Sequence, residues 1–140
     1  MLRPRSMAGA AIMEFALAWP IALLLVLGAV ETSIWGSEAF AARSAALAGA
    51  RAGTVVGAPP GVIAGVALRT LSPSLIGVTA AAWCPGESGP RPAVWVCVTE
   101  LGTAIQVDIG GTVPALVPMV AGGGLPLQAH VVLQKEAFAS

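Results

Sequence analysis

Glu14 is the only ionisable residue in the apolar run from Met7 to Val30. A carboxylate in membrane hydrocarbon costs about 2–4 kcal/mol, so whatever offsets that cost should indicate its role. In the plain structural interpretation, Glu14 lies about 6 Å inside the span and reaches headgroup water. In the functional interpretation, the carboxylate is recognised by another protein and later paired with an opposite charge.

The other residues that could carry chemistry form no catalytic pattern. His130 has no second imidazole and no acidic cluster near it in sequence, so we interpret it as a packed or surface strand residue. Glu100, Asp108 and Glu136 lie on separate predicted strands, and their spacing pairs none of them. The turn "GESG" at 86–89 lacks the order of a hydrolase nucleophile elbow. We therefore predict that the protein is not an enzyme and takes no cofactor or metal.

The two cysteines, Cys84 and Cys97, lie on two predicted strands. In an exported chain a disulfide is the default state, and closing a loop of about 14 residues stabilises a domain by roughly 3 kcal/mol. Buried free thiols are the alternative. A zinc site is not expected, because a second pair of ligands is missing.

A membrane span accounts for the high mean hydropathy of +0.85. A helix over residues 10–30 is about 31 Å long, which matches a hydrocarbon core of about 30 Å and exceeds a secretory h-region. Arg3 and Arg5 precede it, and Glu31 and Glu38 follow it. The positive-inside rule places the N-terminus in the cytoplasm.

The helix is predicted to continue through the alanine-rich residues 29–52 and to end at Gly53 and the "GAPPG" of 57–61. From residue 10 to residue 52 it would be roughly 65 Å long, twice what a bilayer needs. Small residues recur along one stripe, and this stripe packs either against other helices or against the chain's own β-domain. The stripe comprises Trp35, Ala39, Ala42, Ala46 and Gly49.

A small α+β domain is predicted after the long helix. Residues 61–72 favour a short helix, with Val62, Val66 and either Leu68 or Leu71 facing inward. Stretch 110–124 is interpreted as an irregular excursion. Antiparallel strands are predicted at 75–84, 93–101, 104–109 and 125–136, the first two as a hairpin.

Gly9 precedes Ala10, and Glu14 is the fifth residue after that glycine. A basic leader followed by this pattern and an apolar helix resembles the prepilin-peptidase signal of type IV pilins and pseudopilins. The resemblance implies cleavage between Gly9 and Ala10, which removes the leader 1–9. The new α-amino group would lie near Glu14 of a neighbouring subunit, where its charge offsets the cost of burial.

More closely, the chain resembles the TadE/TadG-like family, minor pseudopilins of the tight-adherence (Tad) pilus system. The resemblance rests on "GAAIMEFALAWPIALLLVLGAVE" (9–31) and "AARSAALAGARAGTV" (41–55). It implies recognition and assembly roles for Glu14, Phe15 and Pro20, the last bending the helix where neighbouring helices accommodate it. The remainder of the chain matches in pattern only.

The resemblance implies a pilin-like, single-pass protein of the bacterial inner membrane that primes, caps or anchors a pilus. Its expected parts are a leader (1–9), a long helix (10–56) and an extracytoplasmic domain (57–140). Its expected partners are a prepilin peptidase, other pseudopilins, the major pilin, the inner-membrane platform and membrane lipid. Nucleic acid is not expected, because seven basic residues are balanced by seven acidic ones.

Two alternatives stay open at this point. In the first, the chain is an uncleaved single-span membrane protein whose outer domain binds another molecule. In the second, it is a secreted protein with a long signal peptide that is cut near "AFAA" at 39–42.

Overall fold

The computed structural model describes residues 8–55, 58–117 and 123–136. A long helix leads into a small head in which helices pack on one face of a four-stranded sheet. The elements are α1 (Ala8–Gly53), α2 (Pro60–Leu71), a 3-10 turn (Ser72–Ser74), β1 (Ala80–Ala82), β2 (Val94–Glu100), β3 (Ala104–Pro114) and β4 (Gly124–Gln134). The predicted α+β class is confirmed.

Helix α1 has 46 residues and runs without interruption through Pro20, so it is about 69 Å long. It ends at Gly53, as predicted, and the packing of the head leaves no room for a side chain at this position. A Cβ at Gly53 would lie 2.8 Å from Cδ1 of Ile63 and 3.0 Å from Cγ2 of Ile105. Residue 57, the first of the predicted "GAPPG" terminator, lies outside the described residues, as does residue 56.

The small-residue stripe of α1 packs against the chain's own head. Ala42 and Ala46 are fully buried in its core. At Gly49 a Cβ would lie 3.0 Å from Cβ of Ala67 on α2. Small side chains let the two helices approach closely. Of the two predicted roles of the stripe, the structure therefore shows packing against the chain's own domain. The buried residues of α1 begin at Glu38, and the domain division at 56/57 stays a prediction.

The sheet is mixed, with strand order β1-β2-β3-β4. Strands β2, β3 and β4 pair antiparallel, whereas β1 pairs parallel with β2. The predicted hairpin of the first two strands is therefore wrong. Residues 83–93 carry the chain back to the start of β2 instead of turning it tightly, so a loop supplies the crossover that parallel strands require.

Strand β3 extends five residues further than predicted, whereas β4 begins one residue earlier and ends two residues earlier than predicted. Their ladder continues to the pair Pro114 and Gly124, so residues 110–114 are strand and not part of an irregular excursion. Gly111 has φ 145°, and a Cβ there would overlap the carbonyl oxygen of Ala93. In the sequence, Gly110 and Gly111 resemble turn residues, but in the structure they allow β3 to pack closely against β2. Residues 118–122 lie outside the described residues.

Helix α2 occupies the predicted position, but its inward face differs. Val62 is exposed, whereas Ile63, Ala64, Ala67 and Leu71 are buried. Of the predicted inward residues only Leu71 is fully buried. The prediction missed Ile63 as well as the two alanines. Alanine counts weakly in a hydrophobic pattern, so the pattern did not show that the side of α2 with Ile63 and Ala67 faces the core.

Alternate residues of β2 and β3 face the helices and form the core of the head. The fully buried large side chains are Ile63, Leu71, Val94, Val96, Ile105, Val107, Ile109, Val113 and Leu127. The opposite face of the sheet carries Trp95, Asp108 and His130. This alternation is typical of an antiparallel sheet with one covered face.

Candidate functional site

The N-terminal half of α1 lies apart from the head. Every residue from 11 to 30 is exposed, and Leu25, for example, is 70% exposed. We call residues 11–30 the exposed helix half. Among the described residues, α1 is the one helix long and apolar enough to cross a membrane, with an 18-residue window of mean hydropathy 2.1 and none of that window buried.

The residues of the signal-like pattern lie at the start of α1. Gly9 and Ala10 are in its first turns, whereas residues 1–7 of the leader lie outside the described residues. Glu14 and Phe15 are exposed one turn further on, and the Phe15 ring stacks on Trp19 at 6.0 Å between centroids. The first turns therefore present the carboxylate beside an aromatic pair, with no contact to the head.

Pro20 sits inside α1. Its ring nitrogen cannot donate to the carbonyl one turn earlier, so one backbone acceptor is left without its usual partner in the middle of the exposed helix half. In a membrane, such an acceptor needs a partner from a neighbouring helix, a hydroxyl or a local backbone adjustment.

At the end of the exposed helix half, Glu31 joins α1 to the connection between β3 and β4. The Leu116 N–H donates to both carboxylate oxygens, at 3.0 and 2.9 Å, and the Val117 N–H donates to one of them at 3.1 Å. Hydrogen bonds to an ionised acceptor are stronger than neutral ones. The sequence identified Glu31 only as an acidic residue after the span.

One turn further on, Trp35 makes a second connection to the same region. Its indole Nε1–H donates to the carbonyl oxygen of Pro126 at 2.9 Å. The third is Glu38, which is only 2% exposed and accepts the Ile76 N–H at 3.1 Å. Three polar side chains at i, i+4 and i+7 thus fix the head along one side of α1.

Across the exposed face of the sheet, Asp108 pairs with His130. His130 Nδ1 lies 2.5 Å from Asp108 Oδ1, and Gln106 Nε2 donates to Asp108 Oδ2 at 2.6 Å. The sequence interpretation found no acidic cluster near His130 and paired Asp108 with neither Glu100 nor Glu136. It did not indicate this contact, which arises because the β3–β4 register sets Asp108 opposite His130. Its assignment of His130 to a surface strand is confirmed, since the side chain is 61% exposed.

The same face carries the predicted disulfide, which joins Cys84 and Cys97. Nearby, Trp83 meets Trp95 edge to face at 6.1 Å, and the Arg91 guanidinium lies 5.9 Å from the Trp83 ring centroid. The disulfide and the tryptophans stabilise β1 and the 83–93 loop on β2. An open cleft of about 390 Å³ lies between this cluster and the Asp108–His130 pair.

Glu100 also has a partner that the sequence did not indicate. Lys135 Nζ donates to its Oε2 at 3.3 Å, and both side chains are partly exposed. Such surface pairs contribute about 0–1 kcal/mol. Within the described ranges, no group of three or more His, Cys, Asp or Glu side chains could hold a metal ion.

A comparison with known protein families shows which of these features lie in a recognised family segment. Residues 9–51 match the family model described as "TadE-like protein". This stretch of the chain is TadE-like. The match begins at Gly9, runs through the exposed helix half and ends within the part of α1 that the head covers. No curated protein and no solved structure matches the chain.

The resemblance inferred from the sequence is thus confirmed for the TadE-like segment, residues 9–51. That segment contains Gly9, Ala10, Glu14, Phe15 and Pro20, as well as Glu31, Trp35 and Glu38. The sheet, the disulfide and the Asp108–His130 pair all lie outside it. The candidate functional site is therefore the exposed helix half, together with the three polar side chains that join α1 to the head.

Proposed function

We propose that this protein is a minor pseudopilin, a non-enzymatic component of a Tad pilus assembly system. In this proposal α1 anchors the chain in the inner membrane and then enters a bundle of pilin-like helices, where the protein primes, caps or anchors the pilus. The TadE-like match over residues 9–51 supports the assignment of the protein to a Tad pilus system.

One observation carries the proposal: twenty consecutive residues of α1, from 11 to 30, are exposed. This stretch is rich in leucine, and a surface of that kind is unfavourable in water at about 25 cal/mol per Å² of apolar area. A membrane removes it from water, and so does a bundle of similar helices. A helix that serves first as an anchor and then as a bundle element would use the same surface twice.

Glu14 is the proposed assembly residue. Cleavage after Gly9 would leave an α-amino group at Ala10, and the carboxylate of a neighbouring subunit would pair with it in apolar surroundings. Pairing makes burial of the carboxylate tolerable. Phe15 and Pro20 would help position the two helices, Phe15 by contact and Pro20 by bending.

The proposed partners follow from this sequence of events. A prepilin peptidase would act first, and other pseudopilins, the major pilin and the inner-membrane platform would act later. The cytoplasmic side would hold Arg3 and Arg5, and the head would lie on the opposite side of the inner membrane, where its disulfide is stable.

Intact-mass measurement of the chain recovered from its native membrane tests the proposal. We expect a mature chain that begins at Ala10. A chain that retains residues 2–9 would overturn processing and favour the alternative, an uncleaved single-span protein whose outer domain binds another molecule. In that case the exposed helix half would be an anchor and nothing more.

A cut near residues 39–42 is the other alternative. One observation argues against it: Ala41 and Ala42 are buried in the core of the head. Cleavage there would remove the part of α1 that carries Glu31, Trp35 and Glu38, and with it three connections between helix and head. Recovery of a mature chain that begins at Ala10 would exclude this alternative as well.

A further inference from the structure

A narrow apolar cleft runs along α1 where the exposed helix half meets the head. Its volume is about 320 Å³. Its walls are formed by α1 and by two residues of the head: Leu24, Gly28, Glu31, Thr32 and Trp35 from α1, and Val117 and Leu125 from the head. A Cβ added at Gly28 would meet no atom within 4 Å, so the floor of the cleft is open.

The cleft begins inside the predicted membrane span. Leu24 precedes Val30, the last residue of that span, by six positions, which places it about 9 Å deeper along the helix axis. Val117 lines the same cleft, so residues 115–117 lie beside the last turns of the span. If residues 10–30 cross a membrane, residues 115–117 lie at the membrane surface.

The polar groups around the cleft are already bonded within the chain. The Glu31 carboxylate accepts the N–H groups of Leu116 and Val117, and the Trp35 indole donates to Pro126. Leu116, by contrast, directs an apolar side chain outward and is 62% exposed. Apolar side chains and a tryptophan at this level are typical of an interfacial surface.

We propose that this cleft binds the acyl chain of a phospholipid from the outer leaflet, and that residues 115–117 hold the head against the membrane. The inference rests on the proposed anchoring of α1. At the depth of Leu24 the surrounding solvent is hydrocarbon. An acyl chain gains dispersion contacts with the cleft walls, whereas water would find few polar partners there.

The depth of Leu116 tests this proposal in the full chain. The sequence has two cysteines, and both are in the disulfide, so Leu116→Cys supplies a single free thiol for an environment-sensitive fluorophore. The labelled protein is reconstituted in phosphatidylethanolamine–phosphatidylglycerol vesicles whose acyl chains carry bromine. Leu101→Cys is the matched control, because Leu101 is 50% exposed and directly follows Glu100, whose end of the β2–β3 ladder lies away from the end of β3 that precedes Leu116.

We expect several-fold stronger bromine quenching at position 116 than at position 101. A third variant, Leu25→Cys, reports on the span itself and should be quenched strongly. Strong quenching at 25 with equally weak quenching at 116 and 101 would overturn the lipid site and leave the anchor intact. Weak quenching at all three positions would overturn both. Shielding of position 116 without bromine quenching would assign the surface to a protein and also overturn the proposal.

Filling the cleft provides the second readout. Gly28→Leu places a side chain in its open floor, and Gly36→Leu places the same side chain on α1 where a Cβ also meets no atom within 4 Å. We expect Gly28→Leu to lower the phospholipid retained per chain in native mass spectrometry several-fold, and Gly36→Leu to leave it unchanged. Equal retention in both variants would overturn occupation of the cleft by an acyl chain.

Discussion

The carboxylate of Glu31 accepts the backbone N–H of Leu116, which lies 85 residues further along the chain. This contact links the end of the exposed helix half to the connection between the two longest strands. Because the same carboxylate also accepts the Val117 N–H, it orders two consecutive peptide groups. Glu31 thereby fixes the head relative to the helix at the place where the proposed membrane span ends.

Glu31→Gln should loosen this connection. Glutamine keeps one acceptor oxygen but loses the charge and the second acceptor, so we expect a loss of about 1–3 kcal/mol in local stability. Amide hydrogen exchange measures it directly, and the Leu116 and Val117 amides should exchange roughly tenfold faster or more. Amides in the middle of β3 should keep their protection, because the rest of the ladder is unchanged.

Glu136→Gln is the control for that exchange experiment. Glu136 is an exposed carboxylate near the opposite end of the head, where its backbone N–H donates to the Thr54 carbonyl. The same chemical change there should leave Leu116 and Val117 protected. Equal protection in both variants would show that the Glu31 carboxylate does not order the connection.

Gly49→Leu should destabilise the head, whereas Gly36→Leu should not. A Cβ at Gly49 already meets Ala67 at 3.0 Å and the Ile63 carbonyl oxygen at 3.3 Å, while a Cβ at Gly36 meets nothing within 4 Å. Overpacking at position 49 should cost about 1–3 kcal/mol or more. Urea unfolding followed by near-ultraviolet circular dichroism gives both values. Similar midpoints for the two variants would contradict the assignment of the stripe to the chain's own head.

Reduction of the Cys84–Cys97 disulfide should lower the free energy of unfolding by roughly 3 kcal/mol, because it releases a loop of about 14 residues in the unfolded state. The measurement compares denaturant midpoints with and without reductant. The double variant Cys84→Ala/Cys97→Ala is the control, and reductant should not change its midpoint. A wild-type midpoint that is also insensitive to reductant would contradict a stabilising role for the disulfide.

The helix and most strands could be predicted from the sequence because their signals are local. An alanine-rich stretch without proline indicates a helix, and Gly53 indicates its end. The direction of β1 could not be predicted, since a loop such as 83–93 is compatible with either a hairpin or a parallel return. Its packing on β2 decides the direction, and packing is not visible in a strand pattern.

The polar contacts of the candidate site escaped prediction for a related reason. Glu31 and Leu116 are distant in sequence, and a backbone N–H has no residue-specific signal. Asp108 and His130 lie on different strands, so only the register sets them opposite each other. In contrast, the pattern from Gly9 to Glu14 depends on spacing alone, which is why the resemblance could be identified from residues.

Glu14→Gln is the most direct test of the proposed assembly role. Glutamine has nearly the same size as glutamate but carries no charge, so a neighbouring α-amino group would be buried without its opposite charge. An unpaired buried charge is strongly unfavourable. We therefore expect cleavage after Gly9 to continue and pili to be lost. Intact mass reports the first outcome, and counting pili by electron microscopy in a complemented strain reports the second.

Two controls make this result interpretable. Glu136→Gln removes a carboxylate from the head and should leave both cleavage and piliation normal. Glu14→Asp keeps the charge on a shorter side chain and should restore part of the piliation that Glu14→Gln loses. Normal piliation with Glu14→Gln would mean that the carboxylate only reaches headgroup water at the edge of the span. Partial rescue by aspartate would show that assembly depends on the charge at position 14 and not merely on a polar side chain.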